Sequence, residues 1–370
     1  MKHAVHFVRC ADYESALAPA FERLAESSGL FADSALRGRR VLVKPNLLTD
    51  RTPEQAVTTH PALLRLVLRR LKAAGASVSV GDSPASTANL KMTLERSGIG
   101  AVCEEEGVPV VSFEQGGVRN FDKDGFSFTL AKPVLDADLI VNLPKVKSHS
   151  LTKLTAAVKN LYGAVPGYSK TTLHRLYPKP ADFGRLLQAI WSVLPPAVSL
   201  ADAVVGMEGQ GPSNGRPVRL GFLAASEDPF ALDAALCGIL GIRPATVPYL
   251  KGCADAHAPE VSGDAVTVPS FEIPSGSHLL DLLPAWFVHL TARLLWVRPS
   301  FTPDLCVRCG KCVKACPAEA LAFRPGSDRP FLHAKACIGC ACCHEVCPKG
   351  AIRMKQSAVL RLAGAFKGLD

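Results

Sequence analysis

What this chain lacks narrows its reading first. No Walker sequence is present, and no G-x-G-x-x-G follows a strand-like run, so the usual nucleotide-binding loops are not indicated. Gly206 to Pro212 is glycine-rich but lacks the Lys-Ser/Thr end of a P-loop. The opening MKHAVHFVRC has no long apolar run, which argues against a signal peptide. Leu279 to Val297 is apolar and aromatic, yet Asp281, Pro284, His289 and Arg293 interrupt it too often for a spanning helix. Aromatic residues make up only 6% of the chain and do not alternate with basic ones, so the net charge of +9 does not read as a nucleic-acid surface. Acidic residues are missing altogether from Leu139 to Ala181.

Cysteine is the residue present in excess. Of thirteen, nine fall after residue 305. Cys306, Cys309, Cys312 and Cys316 run as C-x2-C-x2-C-x3-C before Pro317, and Cys337, Cys340, Cys343 and Cys347 repeat that spacing before Pro348. Zinc sites more often pair C-x2-C units across a longer gap, which leaves two [4Fe–4S] clusters as the expected cofactors. The fourth cysteine of such a run usually ligates the other cluster. The expected sets are therefore Cys306, Cys309, Cys312 and Cys347 for one, and Cys337, Cys340, Cys343 and Cys316 for the other. Cys342 is surplus and competes with Cys343. From Leu305 to Ile352 the chain resembles the bacterial two-cluster ferredoxins. Oxygen-labile clusters and unpaired thiols predict a reducing, cytoplasmic compartment. Cys10, Cys103, Cys237 and Cys253 are scattered, as buried structural thiols usually are.

Upstream, strand-like runs alternate with helix-like ones, predicting an α/β fold with a largely parallel sheet. Expected strands include His3 to Arg9, Arg40 to Val43, Ala76 to Val80 and Asp138 to Val141, with a hairpin at Asp124-Gly125. Expected helices include Asp12 to Ser28, Ala62 to Ala74 behind Thr59-His60-Pro61, Leu151 to Leu161, and Phe183 to Leu194. Ala197 to Leu200 and Val218 to Ala225 read as further strands, with a helix from Asp228. The organisation expected is residues 1–255 as the α/β domain, 256–300 as a connector with an apolar helix, 301–356 as a small α+β ferredoxin-like domain, and 357–370 as a terminal helix.

Four apolar runs end in short polar loops: Lys44-Pro45-Asn46, Gly81-Asp82-Ser83-Pro84, Asn142 to Lys147, and Asp202 to Gly211. Such residues make turns everywhere, but in open α/β sheets the ligand crevice lies at the carboxyl ends of the strands. The acid-free stretch adds Lys145, Lys147, Lys153, Lys159, Lys170, Lys179, Arg175, His149 and His174, so an anionic ligand is expected. Carboxylates at strand ends, here Asp82, Asp202 and Glu208, suit acid–base or ligand roles. His60 reads as a helix-start residue.

The strings VLVKPNLL, TTHP, GDSP, NLPKVKSHSLTKLTAAVKNLYG, MEGQGPSNG and SEDPFALD resemble the family named domain of unknown function 362, over about His3 to Gly241. The resemblance implies an iron–sulfur protein with a two-cluster tail and no particular reaction. Matching strings carry over Lys44, Asn46, Asp82, Asn142, Lys145, Lys147, Lys159, Asn160, Glu208 and Asp233 as site positions. Asp82, Lys145 and Glu208 are the expected catalytic residues. Lys44, Asn46, Asn142, Lys147, Lys159 and Asn160 are the expected substrate-binding ones. The functional expectation is an oxidoreductase passing electrons from the clusters to an anionic small molecule. A binding protein or non-redox enzyme with structural or sensing clusters, and an electron carrier docking a protein partner, are the alternatives. Residues 279–297 either dock the ferredoxin unit or lie on a membrane surface.

Overall fold

A computed structural model describes residues 2–32, 36–85, 88–167, 169–253, 255–274, 296–339 and 342–357. Residues 275–295, which hold most of the apolar helix expected within 279–297, residues 358–370 of the expected terminal helix, and Cys340 lie outside the described residues.

The α/β body is built on strands β1 (Lys2–Arg9), β2 (Arg40–Pro45) and β3 (Ser77–Val80), a hairpin of β4 (Val118–Lys123) and β5 (Phe126–Ala131), then β6 (Leu139–Leu143), β7 (Lys145–His149), β8 (Lys153–Thr155), β9 (Ala197–Glu208), β10 (Arg216–Ser226) and β11 (Ala258–Gly263). Nine of these form one sheet in the order β11-β1-β10-β9-β6-β2-β3, with β7 and β8 branching from β9. The β3–β2–β6–β9 run is parallel throughout, and β10 pairs antiparallel with both its neighbours. The mean direction is the expected parallel one. Alternation along the central strands explains why both faces are covered. Leu42 and Ile140 pack into one apolar core, while Val41, Val43, Leu139 and Val141 pack into the other.

Helix ends follow their sequence signals. Asp12 accepts hydrogen bonds from the backbone of Glu14, Ser15 and Ala16 ahead of α1 (Leu17–Ser28), and Gly29 closes that helix with φ +65°. His60 Nδ1 accepts from Ala62 N at 3.3 Å to cap α2 (Pro61–Ala73). Asp228 Oδ1 accepts from Phe230 N and Ala231 N at the start of the helix Pro229–Ile239.

Three sequence expectations are corrected. The helix expected over 151–161 begins only at Ala157, because 153–155 is drawn out as β8 against β7, with Lys153 at φ +65°. The strand expected to end at Leu200 runs through Asp202 to Glu208. The connector contributes β11, which pairs with β1 from Lys2↔Ala258 to Phe7↔Gly263 and so extends the main sheet past residue 255.

The cysteine-rich unit has its own small core around Cys312, Ala315, Leu321, Val346 and Ile352. β12 (Val297–Phe301) pairs with β15 (Ile352–Gln356), and β13 (Leu321–Ala322) with β14 (Phe331–Leu332). Polar bonds tie this unit to the body. Asn214 Nδ2 donates to His344 O at 2.8 Å, Arg51 Nη2 donates to Cys347 O at 3.2 Å, and His344 Nε2 lies 3.2 Å from Gln210 O.

Candidate functional site

The parallel strands deliver their carboxyl ends to one place. A cavity of about 90 Å³ opens there, lined by Asn46, Asp82, Lys147, His149, Lys159 and Lys170, among others. Its far wall is Ala315, Cys342 and Val346 of the cysteine-rich unit. Three of the four polar loops expected to converge do so; the fourth, Asp202 to Gly211, does not line the cavity, although the next residue, Pro212, does.

Beneath the cavity lies a buried ion pair. Lys44 Nζ sits 2.7 Å from Asp82 Oδ1, and both side chains are sealed from solvent. Burial pulls the Lys44 ammonium below its ordinary range, and Asp82 partly restores it. Asp82 is further engaged by Leu47 N at 2.8 Å and Ser83 N at 2.9 Å. Gly163 packs directly over the pair, where a Cβ would collide with Asp82 Oδ1 and Lys44 Nζ.

An amide ladder rises beside it, and its orientation is forced. Asn142 Nδ2 donates to Ala157 O at 3.1 Å and to Ser199 Oγ at 3.0 Å. A carbonyl only accepts, so Asn142 must present its Oδ1 to Asn160 Nδ2, at 2.8 Å. Asn160 Oδ1 in turn accepts from Asn46 Nδ2 at 2.8 Å. The ladder therefore ends on Asn46 Oδ1, which is buried without a protein partner at the cavity. Buried polar atoms are rarely left so.

The remaining lining is cationic or donating. Lys147 Nζ donates to Val57 O at 2.7 Å. Lys159 Nζ lies 4.6 Å from the Tyr162 ring centre and 5.5 Å from that of Phe183, so its stem is held in a fixed direction. Lys170 donates to Ser83 O and Pro84 O, and burial pushes its ammonium down to about 7. His149 Nδ1 accepts from Leu151 N at 3.0 Å and Thr152 N at 3.3 Å, and burial next to Lys159 keeps the ring uncharged. Its Nε2 therefore carries the proton and is a donor. Thr155 Oγ1 and His174 Nδ1 are likewise buried without partners.

Lys145, Glu208 and Asp233 are not at the cavity. The β7 register shifts between Lys145 and Lys147, which sends the two lysines to different places. Lys145 Nζ is 2.5 Å from Asp202 Oδ2 and donates to Tyr13 Oη at 2.8 Å, while Tyr13 stacks on His60 with ring centres 3.6 Å apart. Asp202 also accepts from Tyr13 Oη and His60 N, so this cluster is internally satisfied. Glu208 accepts from Glu272 N at 2.7 Å and pairs with Arg216 at 2.9 Å, anchoring the segment after β11. Asp233 accepts from Ala157 N and Val158 N, holding the start of helix Ala157–Leu161.

The cysteines gather around two further cavities in crossed sets. One is lined by Cys306, Cys309, Cys312 and Cys347, the other by Cys316, Cys337 and Cys343. These residues fit an iron–sulfur group. Thiols from distant loops face common spaces, and Ala320 N and Ala351 N donate to Cys316 Sγ and Cys347 Sγ at 3.2 Å, as cluster sulfurs are commonly bonded. Cys343 lines a cysteine cavity, whereas the surplus Cys342 turns to the lysine-lined one. That wall of Ala315, Cys342 and Val346 was missed by sequence reasoning.

The fold and these sites define an iron–sulfur protein with a ferredoxin-type module set on an α/β body. Comparison with known families then makes the identification specific. A domain of unknown function (DUF362) matches residues 41–238, and a 4Fe-4S dicluster domain matches residues 300–354. The chain belongs to the DUF362 family and binds [4Fe–4S] clusters. It is 37% identical over 253 residues to a thylakoid-associated protein of Synechocystis, covering 68% of this chain and 78% of that one. Among solved structures it is similar to the lactate racemase apoprotein of Thermoanaerobacterium thermosaccharolyticum, with a TM-score of 0.42 and 13% identity over 62% of this chain and 55% of that one. A protein of Thermotoga maritima gives a TM-score of 0.36 and 13% identity over 56% and 55% of the two chains. The chain thus spans 55% of the length of either structure. Among the described residues, no helix is long and apolar enough to cross a membrane.

Proposed function

We propose that the protein is an oxidoreductase in which two [4Fe–4S] clusters exchange electrons with a small anionic molecule held in the lysine-lined cavity. The observation that carries this reading is the composition of that cavity. Lys147, Lys159 and Lys170 form one side, and Ala315, Cys342 and Val346 form the other. Each of those three wall residues is next in sequence to a cluster-lining cysteine: Cys316, Cys343 and Cys347. A molecule seated there touches the cluster shell directly. A pure electron carrier has no need of such a cavity.

Each chain residue has a part in this reading. Lys147, Lys159 and the His149 Nε2–H bind the anion, and Asn46 Oδ1 accepts a hydrogen bond from a donor on the same molecule. Asp82 and Lys44 support the floor through Gly163 and the Asn46 loop. Clusters held by the two cysteine sets would, when bound, supply single electrons drawn from a low-potential donor protein. Lys170, with its ammonium near 7, is the group able to pass a proton at neutral pH. The proposed location is the cytoplasm, where cluster cysteines stay reduced.

Iron and sulfide analysis of anaerobically purified protein, with EPR before and after dithionite, is the first test. About eight of each per chain and spin-coupled signals on reduction are expected. Cys312→Ser should remove about half the iron. About four iron per chain in the unaltered protein, or zinc in its place, would sink the two-electron reading.

Affinity for the anion should also fall as pH rises through about 7. Lys170 is charged below that value and attracts the anion; above it the attraction is lost. Titration of phosphate or a small carboxylate between pH 6 and 8 checks this, and Lys170→Met should flatten the profile.

A further inference from the structure

Away from the cavity, three side chains from separate parts of the chain converge at the edge of the sheet. His3 lies on β1, Asp228 caps the helix Pro229–Ile239, and His257 immediately precedes β11. Pairing of β1 with β11 sets Lys2 opposite Ala258 and so brings the two histidines together. One imidazole nitrogen from each histidine and one carboxylate oxygen all lie within 4.8 Å of one another.

The hydrogen bonds leave these atoms facing inward. His3 Nε2 lies 3.1 Å from Ala256 O, which can only accept, so Nε2 carries a proton. In neutral His3 the lone pair is then on Nδ1, and that nitrogen faces Asp228 Oδ2 at 3.3 Å. His257 Nδ1 meets the same oxygen at 2.5 Å. Asp228 Oδ1 is turned away and fixed by Phe230 N at 2.8 Å and Ala231 N at 2.9 Å. His257 is held by the Phe230 ring at 4.7 Å and the edge of Trp191 at 5.5 Å. A lone pair there would repel the carboxylate oxygen; a proton on Nδ1 or a metal ion between the two removes that repulsion.

We infer that His3, Asp228 and His257 form a binding site for a divalent transition metal of the zinc class. Two imidazoles and a carboxylate are a common donor set for zinc, with a fourth position left to solvent. Bonds of about 2.0–2.1 Å place tetrahedral ligand atoms about 3.3 Å apart, the separation of His3 Nδ1 from Asp228 Oδ2. His257 must give up the proton it shares with Asp228 and move back by under about 1 Å. The outer shell is already arranged as metal sites arrange it: a histidine donating its other N–H to a carbonyl, and a carboxylate with its second oxygen hydrogen-bonded. His3 is 35% exposed, so an ion can enter from solvent.

The test uses the full, cluster-loaded chain under anaerobic conditions, with Zn²⁺ as the probe. Crystals soaked in zinc chloride are measured on both sides of the zinc absorption edge, which separates zinc from cluster iron. Density confined to zinc between His3, Asp228 and His257 is the expected result. Zinc retained after desalting should fall by one equivalent in the His3→Ala and His257→Ala variants. Neither change removes the Asp228 cap, and the cluster absorbance reports that the chain is intact. No zinc density between these three residues, or either variant retaining as much zinc as the unaltered chain, would overturn the inference.

Discussion

Replacing Asp82 with Ala is expected to destabilise the protein by about 3–5 kcal/mol, the usual cost of leaving one member of a buried ion pair uncompensated. Among the described residues, Lys44 would keep Pro45 O, at 3.4 Å, as the acceptor for a fully buried ammonium. The cost should shrink at high pH, because a neutral amine no longer needs the carboxylate. Gly163→Ala should act on the same pair by a different route. An added methyl group there overlaps both charged ends, and both side chains are buried, so they must shift within the packed interior. The double replacement Lys44→Met with Asp82→Leu removes both charges and should recover much of the loss. Denaturant midpoints of cluster-loaded protein decide it. A midpoint unchanged in Asp82→Ala would mean that Lys44 is already discharged.

The second large effect concerns the anion. Lys159→Met should weaken binding of a small anion by about 10- to 150-fold, the range for one charge-assisted hydrogen bond worth about 1.5–3 kcal/mol. Met keeps the apolar stem but loses the ammonium that lies over the Tyr162 and Phe183 rings, so the denaturant midpoint of the variant is measured alongside. Lys179→Met is the matching control, since Lys179 belongs to the same acid-free stretch but is exposed and outside the cavity. Isothermal titration with the phosphate or carboxylate ligand separates the two. Equal losses would point to a diffuse basic surface instead of a built site.

Much of this architecture is legible in the sequence because it depends on local rules. Cysteine spacing encodes the two crossed sets, since each run is short enough to fix its own loop. Strand ends at Lys44, Asp82 and Asn142 announce a crevice because parallel strands must end on the same side. The misplacement of Lys145 beside Lys147 has an equally physical cause. Alternation puts residues two apart on one face, but the register shift on β7 breaks the rule, and no residue type marks it. Glu208 and Asp233 look functional in sequence for the reason they are buried: each satisfies backbone N–H groups of a distant segment. The wall of Ala315, Cys342 and Val346 was hidden because it depends on how the cysteine unit sits against the body, through bonds such as Asn214 to His344. The meeting of His3 with His257 depends likewise on a strand pairing across nearly the whole sheet domain.

The far wall of the cavity has a consequence for how this protein is made. Ala315, Cys342 and Val346 hold their places through short helices, Lys311–Lys314 and Cys342–Glu345, too brief to persist alone in water. Clusters bound at the cavities lined by Cys312, Cys316, Cys343 and Cys347 would stiffen them. A chain without its iron would therefore have the lysine-bearing side of the cavity in place and no finished surface opposite. Iron starvation would then be felt first at a place that holds no iron, as weaker binding of the anion proposed to sit there, before any loss of the α/β body.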